Sequence, residues 1–260
     1  MLAGARRQLA HLPKGFTRHA QRLLCVALMV LAPGWAAAQT ITTARYADPT
    51  TRYDHGILGD AIEWGTLEIT LDDGTTRRFI LPETLVFEDT APRLADLDAD
   101  GSPEVIVVES SLTAGARLTV YGPNGRLAMT DYIGRKNRWL APVGAADFTG
   151  DGRLEIAMVV TPHLAGRIDL LAFDSSSLTL IARTSGLTNH RIGDPDIAGG
   201  IRICQNTPQM ILARMPWRKS GDSRMAAVSL SNGSLSVLPF KEPFTPQNVA
   251  KAKNCTIHPE

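Results

Sequence analysis

Two short acidic strings in this chain have the side chains and the spacing to bind a metal ion. The first runs from Asp96 to Glu104 with the sequence DLDADGSPE, and the second runs from Asp147 to Glu155 with the sequence DFTGDGRLE, so they begin 51 residues apart. Both place oxygen-bearing side chains at positions 1, 3, 5 and 9 and a glycine at position 6. Calcium takes six to eight oxygen ligands in a tight loop, and glycine permits the sharp turn that such a loop needs. The two strings therefore predict a repeated calcium loop.

An EF-hand also begins with such a string, but it requires a glutamate at position 12 and a following helix. Position 12 is Val107 in the first string and Met158 in the second, and both residues lie in apolar runs rich in valine and isoleucine. Such runs are typical of strands. The sequence therefore excludes the EF-hand and predicts that each loop leads into a β-strand.

The first 38 residues have the features of a secretory signal. Five basic residues come before an apolar run at residues 23–31, and three alanines at residues 36–38 end the segment. The apolar run is too short to cross a bilayer, which takes about 20 residues. We therefore expect residues 1–38 to be a signal peptide, the mature chain to have no transmembrane segment, and the protein to be periplasmic or secreted.

Removal of this leader leaves 222 of the 260 residues, which is enough for one domain with a well-buried core. Five of the 27 Lys and Arg residues and none of the 26 Asp and Glu residues lie in the leader, so the mature chain has a net charge of −4. Affinity for nucleic acid depends on clustered Lys and Arg, and no such cluster is visible. The composition therefore argues against nucleic acid as a partner.

Two cysteines, Cys204 and Cys255, remain after removal of the leader. Export to an oxidising compartment favours a disulfide between them. The alternative is two separate buried thiols, and mass spectrometry without reductant distinguishes the two arrangements.

The mature chain predicts an all-β fold. From residue 64 onward, short β-type runs alternate with turn signals, and no apolar period of 3.6 residues is sustained. Three tight turns containing glycine and asparagine or aspartate separate pairs of these runs and predict hairpins, because such residues accept a positive φ. The turns lie at residues 72–74, 122–124 and 231–233.

The hairpins share the period of the acidic strings, because Leu118 follows Leu67 by 51 residues. Internal repetition near 50 residues is typical of propeller blades. We therefore predict a β-propeller over residues 39–240. Its four blades are expected at about 45–88, 89–139, 140–190 and 191–240. Prolines at the end of the chain suggest that residues 241–260 form an irregular C-terminal tail, which Cys255 would tie back to the fourth unit.

No catalytic constellation is visible, and we predict no catalytic residues. The chain has no G-x-S-x-G elbow, phosphate loop or dinucleotide fingerprint, and its histidines lack metal-ligand spacing. His55 and His190 lie in two segments that echo each other, residues 54–60 and 189–194, which favours a structural role in the repeat. Large aromatic side chains could stack on sugar rings, but we expect them to fill gaps between sheets. The tryptophans in question are Trp64, Trp139 and Trp217.

The segments Thr90–Glu109 and Leu140–Val160, which contain the two loops, resemble FG-GAP and VCBS repeats. Such repeats occur in the propellers of integrin α-subunits and in many exported bacterial proteins. The resemblance implies a β-propeller whose loops bind Ca²⁺. In the first loop it implies the side chains of Asp96, Asp98, Asp100 and Glu104 and the carbonyl oxygen of Ser102 as ligands. In the second loop it implies Asp147, Thr149, Asp151 and Glu155.

Some positions depart from the family pattern. Position 9 is usually aspartate, whereas Glu104 and Glu155 have longer side chains. Position 3 of the second loop is Thr149, which removes one negative charge from that site. The fourth unit has Ala198 in place of the acidic residue before the glycine, so we predict no metal there.

Two well-formed loops and no catalytic constellation predict an exported calcium-binding β-propeller that acts as a binding or scaffold module for an unknown protein or glycan. The alternative is a carbohydrate-binding or polysaccharide-cleaving propeller protein, because FG-GAP-like propellers occur in such settings. A third reading is a structural component of an envelope assembly. A glycan array, a polysaccharide turnover screen and a crosslinking pull-down would separate the three.

Overall fold

The computed structural model describes residues 39–217 and 223–260, so the predicted signal peptide lies outside the described residues. The described chain consists of antiparallel strands and one short helix, which confirms the all-β prediction. The strands form three sheets.

The first sheet has eight strands. They are β1 (Ile41–Thr50), β2 (Glu63–Leu71), β3 (Thr76–Ile80), β4 (Leu85–Phe87), β5 (Arg93–Ala95), β6 (Glu104–Ser111), β7 (Gly115–Gly122) and β8 (Gly125–Met129). The order is β1-β2-β4-β6-β7-β8, with β3 beside β2 and β5 beside β6. The short strand β4 joins the first two predicted units into one sheet, because Phe87 pairs with Trp64 of β2 and with Glu109 of β6.

The second sheet is a four-stranded meander that covers the third predicted unit. It consists of β9 (Leu140–Ala146), β10 (Glu155–Val160), β11 (Arg167–Phe173) and β12 (Leu178–Thr184). The third sheet has five strands in the order β13-β15-β16-β17, and β14 also pairs with β15. They are β13 (Leu187–Thr188), β14 (Gly200–Cys204), β15 (Thr207–Arg214), β16 (Arg224–Ser231) and β17 (Ser234–Pro243).

The central strands β6 and β10 are buried on both faces, which explains their continuous apolar sequences. Successive side chains of a strand point to opposite faces. In β6, Ile106 and Val108 pack toward the second sheet, whereas Val105 and Val107 pack into the core of the first. Strand β10 repeats this division, with one face in the core shared with β6 and the other in a core shared with the third sheet. The sheets are therefore stacked face to face.

The three predicted hairpins are all present, between β2 and β3, between β7 and β8, and between β16 and β17. Gly74 and Gly233 adopt positive φ values of 80° and 73° in their turns, as the turn signals predicted. The number of blades and the closure of a ring stay predictions.

The C-terminal segment differs from the irregular tail suggested by its prolines. Strand β17 continues to Pro243, and a helix, α1, follows at Pro246–Lys253. Pro246 occupies the first turn, where its missing N–H costs nothing, and the Thr245 side chain accepts a hydrogen bond from the Asn248 N–H. The predicted disulfide between Cys204 and Cys255 is present, with the two Cα atoms 5.9 Å apart, and it connects β14 to the end of this helix.

Candidate metal centres

Both acidic strings form the turn of the same type of hairpin. The first joins β5 to β6 and the second joins β9 to β10. In each case the glutamate at position 9 is the first residue of the second strand, and it pairs with the residue before the first aspartate. This register places the glutamate side chain under the loop, where Glu104 is 7% exposed and Glu155 is 2% exposed.

The first loop brings three predicted ligands together. Asp96, Asp98 and Glu104 each have a carboxylate oxygen within 4.8 Å of the others. Oε2 of Glu104 also accepts a hydrogen bond of 2.9 Å from the Leu97 N–H, which fixes the carboxylate in place. Three carboxylates held at this distance could bind a metal ion.

Backbone N–H groups shape the rest of the first loop. The Asp96 carboxylate accepts from the N–H groups of Asp100 and Gly101, both at 3.1 Å. Gly101 adopts a φ of 90°, which supports the predicted sharp turn. Asp100 is not part of the three-carboxylate cluster, and its Oδ1 accepts from the Ser102 N–H at 2.7 Å.

The first loop fits a divalent cation. Oδ1 of Asp98 is buried and accepts no hydrogen bond from the described residues, while its Oδ2 accepts from the Ser175 hydroxyl at 3.1 Å. A buried acceptor without a partner is costly, and an ion is one way to satisfy it. Burial, with added repulsion from the three loop aspartates, raises the pKa of Glu104 to about 7. A cation would remove that repulsion.

The second loop brings together Asp147, Asp151 and Glu155, again with carboxylate oxygens within 4.8 Å of one another. Asp147 accepts from three backbone N–H groups, those of residues 150, 151 and 152, at 2.6 to 3.1 Å. The Thr149 hydroxyl donates to Oε1 of Glu155 at 2.9 Å, and the Phe148 N–H donates to Oε2 at 2.7 Å. At position 3, therefore, the second loop has Thr149, which donates a hydrogen bond to the glutamate, whereas the first loop has an aspartate. The carboxylates of the second loop repel one another less, although this cluster could also hold a metal ion.

A buried polar network that the sequence analysis missed lies away from the loops. His55 contacts the fully buried Glu88 at 2.5 Å, and Glu88 also accepts from the Ser110 hydroxyl. Glu63 is 2% exposed nearby, and its Oε2 has no hydrogen-bond partner among the described residues. Single acidic residues beside apolar runs carry no spacing signal, so only the long-range packing shows that they are buried together.

The two histidines that echo each other have different partners. Nε2 of His190 donates to the Asp194 carbonyl at 2.8 Å, so its neutral ring accepts at Nδ1 from His163, with the nitrogens 2.9 Å apart. The segments that contain His55 and His190 contact each other, because the Gly193 N–H donates to the Ile57 carbonyl at 3.0 Å. Both histidines therefore have structural contacts, and both lie in irregular segments between strands.

The tryptophans have unequal roles. Trp139 is 2% exposed, and its Nε1 donates to the Glu88 carbonyl at 2.8 Å, so it fills the core as expected. Trp64 packs partly buried against the core of the first sheet. Trp217 is half-buried and lines a cavity.

These features define an all-β protein with carboxylate clusters at equivalent turns of successive hairpins. Residues 90–158 match the family model of the FG-GAP-like repeat, a range that contains both loops. The chain therefore contains an FG-GAP-like repeat, and the resemblance is confirmed over this range. No curated protein matches the chain.

Proposed function

We propose that this protein is an exported, calcium-binding β-propeller that acts as a binding or scaffold module for a protein or glycan partner. The observation that carries the proposal is the pair of carboxylate clusters at the same turn of successive hairpins, within the FG-GAP-like repeat. The face-to-face stacking of the sheets is the arrangement that propeller blades adopt, and it supports the propeller architecture.

Calcium is the ion that the chemistry of the loops favours. Calcium accepts many carboxylate and carbonyl oxygens in flexible geometry, whereas magnesium demands a near-ideal octahedron and retains water. The first site would use Asp96, Asp98 and Glu104, with Asp100 and the Ser102 carbonyl added by a small adjustment of the loop. The second would use Asp147, Asp151 and Glu155, with Thr149 released from its hydrogen bond to Glu155.

The role of the ion in this proposal is structural. It would neutralise carboxylates that otherwise repel one another and so fix the turns of the β5–β6 and β9–β10 hairpins. Asp98 extends this effect to the neighbouring sheet, because Ser175 lies in the turn between β11 and β12. A rigid stack of sheets is a suitable frame for presenting a binding surface.

The disulfide between Cys204 and Cys255 supports export, since such bonds persist in oxidising compartments. In the described ranges, none of the helices has the length and apolar character needed to cross a membrane.

Calcium titration of the mature protein by isothermal calorimetry tests the proposal directly. We expect two binding events, with the first loop the tighter because it has one more carboxylate. The absence of any calcium binding by material stripped of metal would overturn the metal assignment.

A further inference from the structure

A cavity with a volume of about 830 Å³ lies between the loop 191–199 and helix α1. Ligand sites for small molecules typically measure roughly 300–1,000 Å³ and combine apolar walls with a few polar groups. This cavity is far from the carboxylate loops in sequence and uses none of their residues.

The floor of the cavity is the exposed side of a hydrophobic core. Phe244 is 5% exposed and belongs to that core, while Trp217, Ala198 and Val249 pack against it only partly buried. The Trp217 ring meets Phe244 edge to face, with the ring centroids 4.9 Å apart. The guanidinium of Arg191 lies over the Trp217 ring, 4.6 Å from the ring centroid. This distance is within the limit of about 6 Å for a cation–π contact. The aromatic wall is therefore held in a defined orientation.

Four charged side chains line the cavity, and two of them neutralise each other. Nε of Arg191 lies 2.7 Å from Oδ2 of Asp194. Lys253 and Asp196 also line the cavity, and neither forms an ion pair or side-chain hydrogen bond within the described ranges. Nζ of Lys253 lies close over Gly200, where an added Cβ would approach it to 3.2 Å. The cavity thus combines apolar walls with one cation and one anion, both solvent-exposed and without an ion-pair partner among the described residues.

We propose that this cavity binds a short zwitterionic peptide with large apolar side chains. Lys253 would contact the terminal carboxylate, Asp196 would contact the terminal ammonium, and the apolar side chains would pack on Trp217 and Phe244. A single amino acid would leave most of the volume empty, whereas a peptide of two or three residues occupies more of it and can reach both charged side chains. The inference rests on the proposed binding role and gives that role a ligand class.

The first test is calorimetric titration of the mature, calcium-loaded protein with the dipeptide Leu-Phe. Ala250 lies on the exposed surface of α1 and lines the cavity, so Ala250→Phe should block it and weaken binding at least tenfold. Gln247 is exposed on the same helix and does not line the cavity, so Gln247→Phe is the matched control and should bind like the wild type. Equal weakening by both variants, or no binding of Leu-Phe at millimolar concentration, overturns the proposal.

The second test separates the two charged contacts. Leu-Phe amide lacks the carboxylate and N-acetyl-Leu-Phe lacks the ammonium, and each should bind the wild type at least fivefold more weakly than Leu-Phe. Lys253→Met should bind Leu-Phe and its amide equally, and Asp196→Asn should bind Leu-Phe and its acetylated form equally. If the two variants lose affinity without these changes in preference, the assigned contacts are wrong.

Failure of this inference and failure of the proposed function give different results. If calcium binds and stabilises the protein but Leu-Phe does not bind, only the ligand assignment fails. If calcium has no effect, the proposed metal function fails, and the peptide titration on the same sample still reports on the cavity.

Discussion

The Ser175 hydroxyl donates to Oδ2 of Asp98 at 3.1 Å, across 77 residues of sequence, while Oδ1 of the same carboxylate is buried without a hydrogen-bond partner among the residues that the structure describes. One oxygen of Asp98 therefore connects two sheets, and the other is available to an ion. This relationship makes Asp98 the most informative position for testing the first loop.

We expect Asp98→Asn to abolish most of the calcium-dependent stability of the protein. The amide keeps the shape of the side chain but removes the charge that attracts the cation. A ligand at 100 times its Kd stabilises the native state by about 2.7 kcal/mol, so the loss should approach that value if the first loop dominates. The measurement is the difference between melting temperatures in calcium and in chelator, for wild type and variant.

Asp131→Asn is the matched control for this experiment, because Asp131 is an exposed aspartate outside both clusters. It should keep the full response to calcium. If the melting temperature of the wild-type protein is the same in calcium and in chelator, the metal assignment is wrong for both loops.

The second loop allows a substitution with opposite effects in the two conditions. Thr149→Asp adds the carboxylate that the first loop has at this position, but it removes the hydroxyl that donates to the buried Glu155. We expect a lower melting temperature in chelator, because two carboxylates then repel each other, and a larger rise on addition of calcium. Calorimetry should show tighter binding at this site.

Thr149→Val separates the two effects, because it removes the hydrogen bond without adding charge. Its loss of stability should be about 1 kcal/mol in chelator, and its response to calcium should not increase. If Thr149→Asp also fails to increase the calcium response, the second loop does not bind the ion through position 3.

Local patterns in the sequence were sufficient to predict the features that depend on neighbouring residues. The continuous run of valine and isoleucine in β6 and the glycine turns encode strands and hairpins directly, and each acidic loop is complete within nine residues. Features formed by distant residues could not be predicted in this way. Strand β4 has only three residues and is stabilised by pairing on both sides, and the contact of Asp98 with Ser175 exists only once two sheets are stacked. The sequence did not predict helix α1, because the prolines in and around it suggested irregular structure, although proline is favourable in a first turn, where Pro246 lies.

The contact between His163 and His190, whose rings meet edge to face, predicts a loss of stability in mild acid. Burial, together with the neighbouring His190 and His55, lowers the pKa of His163 to about 4, below its ordinary value of 6.5. At a pH between these two pKa values, the unfolded chain binds a proton at this histidine and the folded protein does not. The free energy of unfolding therefore falls as the pH drops from about 6.5 toward 4. His163→Gln should reduce the difference between the melting temperatures at pH 7 and pH 5.

His258 is exposed near the C-terminus and provides the control, since His258→Gln should leave the pH dependence unchanged. The melting temperatures of both variants are measured at the same saturating calcium concentration, so that the calcium loops contribute equally to stability in every sample. A His163→Gln protein with the wild-type pH dependence would show that other groups cause the loss in acid.

Glu63 predicts the opposite dependence, a loss of stability as the pH rises from about 4.5 toward 9. The residue is 2% exposed, and burial, reinforced by Glu88, Asp60 and Asp89, raises the pKa of its carboxyl group to about 9. The folded protein therefore favours the protonated form. The contribution of this group to stability is fully present below the ordinary pKa of 4.5 and is lost as the pH rises toward 9.

Glu63→Gln replaces this carboxyl group with a neutral group of similar shape. The gain in stability of the variant over the wild type should therefore increase with pH. At pH 8 we expect a rise in melting temperature of at least about 3 °C, which corresponds to roughly 1 kcal/mol in a domain of this size. At pH 4.5 the variant and the wild type should have the same melting temperature. Glu83→Gln is the control, because the Glu83 side chain is 89% exposed and a surface charge contributes little. A Glu63→Gln protein that is less stable than the wild type at pH 8 would show that the ionised carboxylate has a stabilising partner, and that the network around Glu88 is arranged to receive a charge.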